Sequence, residues 1–130
     1  MIVLSGAGLV LAEGIRAPAT LIIEGDRIID VVSGSQSAGV TDRHYDLSGY
    51  FIVPGFIDVH VHGVDGTDVL DSPGESDALA KIAAGLPKYG VTAFCPTTVA
   101  CSAAMLQRTL ESVRQFRERP ALHGRANPVR

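Results

Sequence analysis

His60 and His62, which close the run FIDVHVHG, are the two residues whose type and spacing are best suited to chemistry. In an extended strand, positions i and i+2 point to one side. Phe56, Asp58, His60 and His62 then share one face, and Ile57, Val59 and Val61 share the other, an apolar face suited to packing under helices. Burying an aspartate and two imidazoles without partners costs ~1–3 kcal/mol each. A divalent cation would satisfy such a set, because two imidazoles at this spacing converge on one ion, with Zn–N near ~2.0 Å. A bare HxH is more often a pair of polar residues at a strand end. The strand setting, Asp58 on the same face and the glycines that follow (Gly63, Gly66) favour metal ligation here.

Weaker candidates surround this pair. Thr97 and Thr98 end a second strand-like run, VTAFCPTT, and are read as substrate-side residues or as loop caps. Asp65 and Asp68 follow the histidines and read as solvated loop residues rather than oxygen ligands. His44 reads as an exposed strand residue, and His123, followed by glycine, as a strand-end or loop residue. Cys95 and Cys101 form no CxxC pair and are expected to be free thiols, which points to a reducing compartment, the cytoplasm by default.

The elements that must position these residues change character near Pro54-Gly55. Residues 1–53 read as short strands and turns. Thr20–Ile23 and Arg27–Val32 flank Glu24-Gly25-Asp26, a hairpin signal with Gly25 free to take positive φ. A small antiparallel sheet or sandwich fits this half. From residue 54 onward, strand and helix patterns alternate. FIDVHVH is a strand, and 75–89 is helical with Ala78, Leu79, Ile82, Ala83 and Leu86 at helical spacing after Ser72-Pro73. Pro87 disturbs its last turn and Gly90 stops it. After VTAFCPTT, Ser102 caps a second helix to about Arg117, with Leu106, Leu110, Val113 and Phe116 on one face; Pro120 ends it and ALHG is a candidate third strand. The order is that of parallel β/α units, two to three of them, about a third of a (β/α)8 barrel. The expectation is an α/β chain, with a small N-terminal β-sandwich (1–53) and the start of a TIM-type barrel (54–130), an open sheet edge suggesting truncation.

The 130 residues, 46% apolar and 19% charged with a net charge of −3, exclude a disordered, collagenous or coiled-coil chain. No basic excess points to nucleic acid or an anionic membrane. The arginines between Arg108 and Arg119 alternate with apolar positions as on a solvated helix face. No run is long enough for a membrane span, and the N-terminus lacks the positive region of a signal peptide.

VPGFIDVHVHG resembles the opening motif of the amidohydrolase superfamily, and YGVTAFCPTTVA is most similar to its N-acetylglucosamine-6-phosphate deacetylase branch. The resemblance covers essentially the whole chain. It implies a metal-dependent hydrolase in which His60 and His62 hold a divalent metal, zinc or iron, as one or two ions, and Asp58 supports the site through hydrogen bonds. The implied reaction is removal of acetate from an amino-sugar phosphate, with a homodimer as the implied assembly. The family's further ligands and its general acid/base aspartate have no counterpart here, so no catalytic residue is assigned within the chain, which is expected to be inactive alone. A dihydroorotase-like hydrolase, a deaminase, an N-acyl-amino-acid deacylase and a non-catalytic fragment are the alternatives.

Overall fold

The computed structural model describes residues 1–37, 39, 43–74, 77–118 and 126–129. The chain divides into two compact units, Met1–Pro54 and Gly55–Arg130. The class read from the sequence holds: an α/β chain with a β-rich first part followed by β/α units.

In the first unit, β1 (Ile2–Leu11) pairs antiparallel with β2 (Gly14–Glu24), which pairs antiparallel with β3 (Arg27–Ser33). The β2–β3 hairpin turns at Gly25-Asp26 as expected, with Gly25 at φ +59°. β4 (Arg43–Asp46) and β5 (Phe51–Ile52) lie along successive stretches of β1 and run parallel to it, where antiparallel pairing was expected. The reason is local. Between them the Asp46 carboxylate accepts from the Ser48 N–H (2.9 Å) and hydroxyl (2.6 Å), a turn that carries the chain onward along β1 instead of reversing it. β1 accommodates this turn with a bulge at Gly6, whose φ is +80° and whose missing side chain would strike Ser48. Ala7, Leu9, Ala19 and Leu21 form the buried core, flanked by Leu4, Ile23, Val31 and Ile52.

The second unit opens with β6 (Phe56–Val61), followed by the hairpin β7 (Gly63–Val64) and β8 (Thr67–Asp68) and a 3₁₀ turn, Val69–Asp71. Helix α1 (Ala78–Gly85) comes next and tightens into a 3₁₀ turn over Leu86–Tyr89. Pro87 sits at the start of that turn and Gly90, at φ +78°, ends it. Glu75 lies outside the described residues; within them the helix begins at Ala78, and Ser72 closes the preceding 3₁₀ turn rather than opening the helix. β9 (Val91–Pro96), α2 (Ala103–Glu118) and β10 (Asn127–Pro128) complete the unit. The sheet is parallel, in the order β10-β9-β6. ALHG and Pro120 lie outside the described residues, so the third strand seen is Asn127–Pro128.

α2 is capped as expected, the Met105 N–H donating to Ser102 Oγ at 3.2 Å. Its buried stripe keeps two of the four expected positions and replaces the others. Thr109 is fully buried and Val113 and Phe116 join the core, whereas Leu106 and Leu110 are exposed. The apolar period marks a broad sector of the helix, and packing chooses the line within it. On the exposed side, Glu111 accepts from Arg114 (2.7 and 2.9 Å) and from Gln115 (2.8 Å).

Val61, Leu79, Ile82, Leu86 and Phe94 form the core under the parallel sheet. Phe94 is 0% exposed, so Phe94→Ala should destabilise the chain by about 3–5 kcal/mol in urea unfolding followed by circular dichroism. The hydrogen bonds from Arg114 and then Gln115 hold the Glu111 carboxyl at about 2, below the ordinary 4.5. Its support of α2 is therefore complete above about pH 4.5 and fades as pH falls toward about 2. A carbon-13 titration of Glu111 should show that low midpoint, and Arg114→Ala should move it up toward 4.5.

Candidate metal centre

Among the described residues β6 lies at the edge of its sheet, and its pairing with β9 is irregular. Asp58 lies opposite Phe94 and Val61 opposite Pro96, so three steps along β6 match two along β9. The extra residue is a bulge at Val59-His60, a device that re-aims a side chain at the end of a strand. Asp58 Oδ1 accepts the His60 N–H at 3.1 Å and so satisfies a donor that the bulge turns away from the regular ladder. Asp58 thus contacts His60 through its backbone and not through its ring.

The two rings meet edge to face, with centroids 4.8 Å apart and planes at 81°. Their Nε2 atoms are 3.0 Å apart. Two imidazole nitrogens bound to one tetrahedral zinc stand about 3.3 Å apart, so the pair fits a divalent ion after a shift of a few tenths of an ångström. His62 Nδ1 donates to the Thr97 carbonyl at 3.0 Å, the partner type that orients metal-binding imidazoles. Thr97 is itself held to β6, its N–H donating to the Val61 carbonyl at 2.8 Å. Its hydroxyl donates back to the Cys95 carbonyl at 3.0 Å. The structure therefore joins His60, His62, Asp58 and Thr97 in one chain of hydrogen bonds. Thr98 follows half-buried at the same strand end. Among the described residues, no group of three or more His, Cys, Asp or Glu gathers into one metal cluster.

The apolar face of β6 differs from expectation. Val61 is buried, but Ile57 and Val59 are 62% and 73% exposed. Within the described residues, the core reaches β6 at its carboxyl end, where Val61 packs with Val69 and Phe94, and not along its length.

The segment after the histidines is built tightly. Asp65-Gly66, both at positive φ, turn the β7–β8 hairpin, an Asp-Gly signal legible in the sequence. Gly63 is required by close approach, since a Cβ there would lie 2.0 Å from the Thr67 carbonyl oxygen. Asp65 pairs with Lys88 through both oxygens (2.6 and 2.7 Å), and this hydrogen bonding raises the lysine pKa above its ordinary value. Asp68 caps the 3₁₀ turn, accepting from the Leu70 N–H at 2.7 Å while Asp71 accepts from the Asp68 N–H. The Asp65 carboxylate is thus engaged by Lys88 and that of Asp68 by its own turn. In the first unit, His44 is exposed and Nε2 lies 2.7 Å from the buried Ser5 hydroxyl. His123 lies outside the described residues. Cys95 is half-buried and Cys101 exposed, both free thiols. What the sequence reading missed is the part of Thr97 that matters, its carbonyl. No side-chain pattern marks a backbone acceptor, and only strand pairing brings it to His62.

No family model matches the chain. It is 30% identical over 106 residues to N-acetylglucosamine-6-phosphate deacetylase of Mus musculus, an overlap of 80% of this chain and 26% of the relative. Dihydroorotase of Staphylococcus epidermidis is 29% identical over 114 residues, covering 86% of this chain and 24% of the relative. In three dimensions, the crystal structure of N-acetyl-D-glucosamine-6-phosphate deacetylase from Mycobacterium smegmatis superposes with a TM-score of 0.74 at 26% identity. That match covers 90% of this chain and 32% of the other. The chain thus spans about a quarter to a third of the proteins it matches. With the HxH strand, the parallel sheet and these likenesses together, the chain is similar over most of its length to the N-terminal portion of the N-acetylglucosamine-6-phosphate deacetylases, in the amidohydrolase superfamily.

Proposed function

We propose that this chain forms the metal-holding N-terminal part of an amide hydrolase that removes acetate from N-acetylglucosamine 6-phosphate, yielding glucosamine 6-phosphate. The observation that carries the reading is the pair of imidazole nitrogens 3.0 Å apart at the carboxyl end of a parallel strand, where β/α folds place their active sites. On this reading, residues 1–53 are the small β-sandwich domain and 54–130 the start of a (β/α)8 barrel. His60 and His62 would hold the cation, which when bound would polarise the amide carbonyl and lower the pKa of a bound water toward about 7. Asp58 steadies His60, Thr97 orients His62, and Thr97 with Thr98 lines the substrate side. Zinc or iron is the fitting ion, as one or two metals, because both are well served by imidazole. A cytoplasmic setting suits two free thiols, and among the described residues no helix is long and apolar enough to cross a membrane. A homodimer is the proposed assembly.

The dihydroorotase likeness supports a second reading, a hydrolase of cyclic amides on the same scaffold. Two imidazoles are one fewer than the three protein ligands usual for catalytic zinc, so the 130-residue chain alone is expected to bind metal without turnover. Calorimetry should find saturable zinc binding that His60→Ala and His62→Ala each abolish. A panel of N-acetylglucosamine 6-phosphate and dihydroorotate should show no hydrolysis above free zinc. Turnover of dihydroorotate alone would replace the first reading with the second. Absence of zinc binding would remove both.

A further inference from the structure

We propose that Thr97 is a positioning residue whose backbone carbonyl keeps the proton of His62 on Nδ1, so that His60 is the ring that must exchange its proton when a metal enters. The proposal rests on the metal reading above for its second half; the first half stands on geometry alone. A carbonyl oxygen can only accept. The 3.0 Å contact from His62 Nδ1 to the Thr97 carbonyl therefore places a proton on Nδ1. A neutral imidazole carries one ring proton, so in its neutral form, the form a metal ligand takes, His62 presents a bare lone pair on Nε2. That lone pair faces His60 Nε2 at 3.0 Å, a distance at which two bare nitrogens repel. With both rings neutral and no metal bound, His60 Nε2 accordingly carries the proton and donates it to His62 Nε2.

The two histidines of the motif are thus unequal. His62 is already in the tautomer that a cation needs. His60 is not, and its Nε2 becomes a ligand only after losing its hydrogen. The ring remains neutral if one proton passes from Nε2 to water while Nδ1 takes one from water. His60 is exposed, so water reaches it. The Thr97 carbonyl is held in place from two sides, by the Thr97 N–H on the Val61 carbonyl and the Thr97 hydroxyl on the Cys95 carbonyl. The loop after β9 therefore acts on the histidine that follows β6 without offering it a side chain.

Long-range proton–nitrogen NMR on the full chain with nitrogen-15 histidine reads each tautomer directly. Without metal, His62 should be protonated on Nδ1 and His60 on Nε2. On adding zinc, His60 should move its proton to Nδ1, while His62 keeps the pattern it had. Thr97→Val, which removes the hydroxyl, should let His62 populate both tautomers and weaken zinc binding by about tenfold, with Thr97→Ser restoring both. His62 protonated on Nε2 in the metal-free wild-type chain would overturn the proposal even if zinc binds. The expected metal-free pattern with no change on adding zinc would overturn the exchange at His60 and the metal reading, leaving the role of Thr97 standing. A Thr97→Val chain equal to wild type in both readouts would remove the part given to the hydroxyl.

Discussion

Parallel strands cannot be joined by a tight turn, and the candidate site depends on a parallel pair, β6 beside β9. The histidines lie at the end of one strand and the carbonyl that accepts from His62 Nδ1 lies just past the end of the other. The two come together only because the chain between them returns through a hairpin, a 3₁₀ turn and α1. Leu79, Ile82 and Ala83 of α1 pack with Val61 and Phe94 beneath the sheet, so the apolar packing that stabilises the unit also sets the strand register. A hydrogen bond from Thr97 to Val61 then closes the carboxyl ends of the two strands, one residue short of His62.

Around this pair, the polar groups are used to stiffen backbone more than to line a cavity. Asp58 satisfies the amide of the bulge, Asp68 caps a turn, and Asp65 ties the hairpin to Lys88. Exposed ion pairs of this kind contribute little to stability singly. Their effect here is geometric, since they hold the segment that leaves His62 in one path. Gly63 enforces the same path sterically. The imidazoles are then left with few arrangements, as the proposed role of presenting two nitrogens to one ion would require.

The Gly25 hairpin, the Asp65-Gly66 turn, the stop at Gly90 and the cap at Ser102 are local, and each was legible or carried a local signal in residue type. The packing of α2, which buries Thr109 and exposes Leu106 and Leu110, was not legible, because a helix with apolar residues over a wide sector can pack along more than one line. The parallel course of β4 and β5 was hidden as well, since an Asp-x-Ser turn marks a change of direction without stating its sense. At the site, the HxH pattern pointed to His60 and His62 through strand periodicity, yet a bulge, not simple alternation, carries the chain through His60.

By itself, the sequence determined the succession of strand, helix, strand and helix after the seam near Pro54 and the two imidazoles two residues apart, because turns, caps and strand periods act over a few neighbouring residues. Only the tertiary structure decided which nitrogen of His62 faces its partner, that Asp58 acts through the backbone of His60, and that Thr97 contributes a carbonyl. These depend on the register of β6 against β9, a relation between residues far apart in the chain that packing sets and no local pattern encodes.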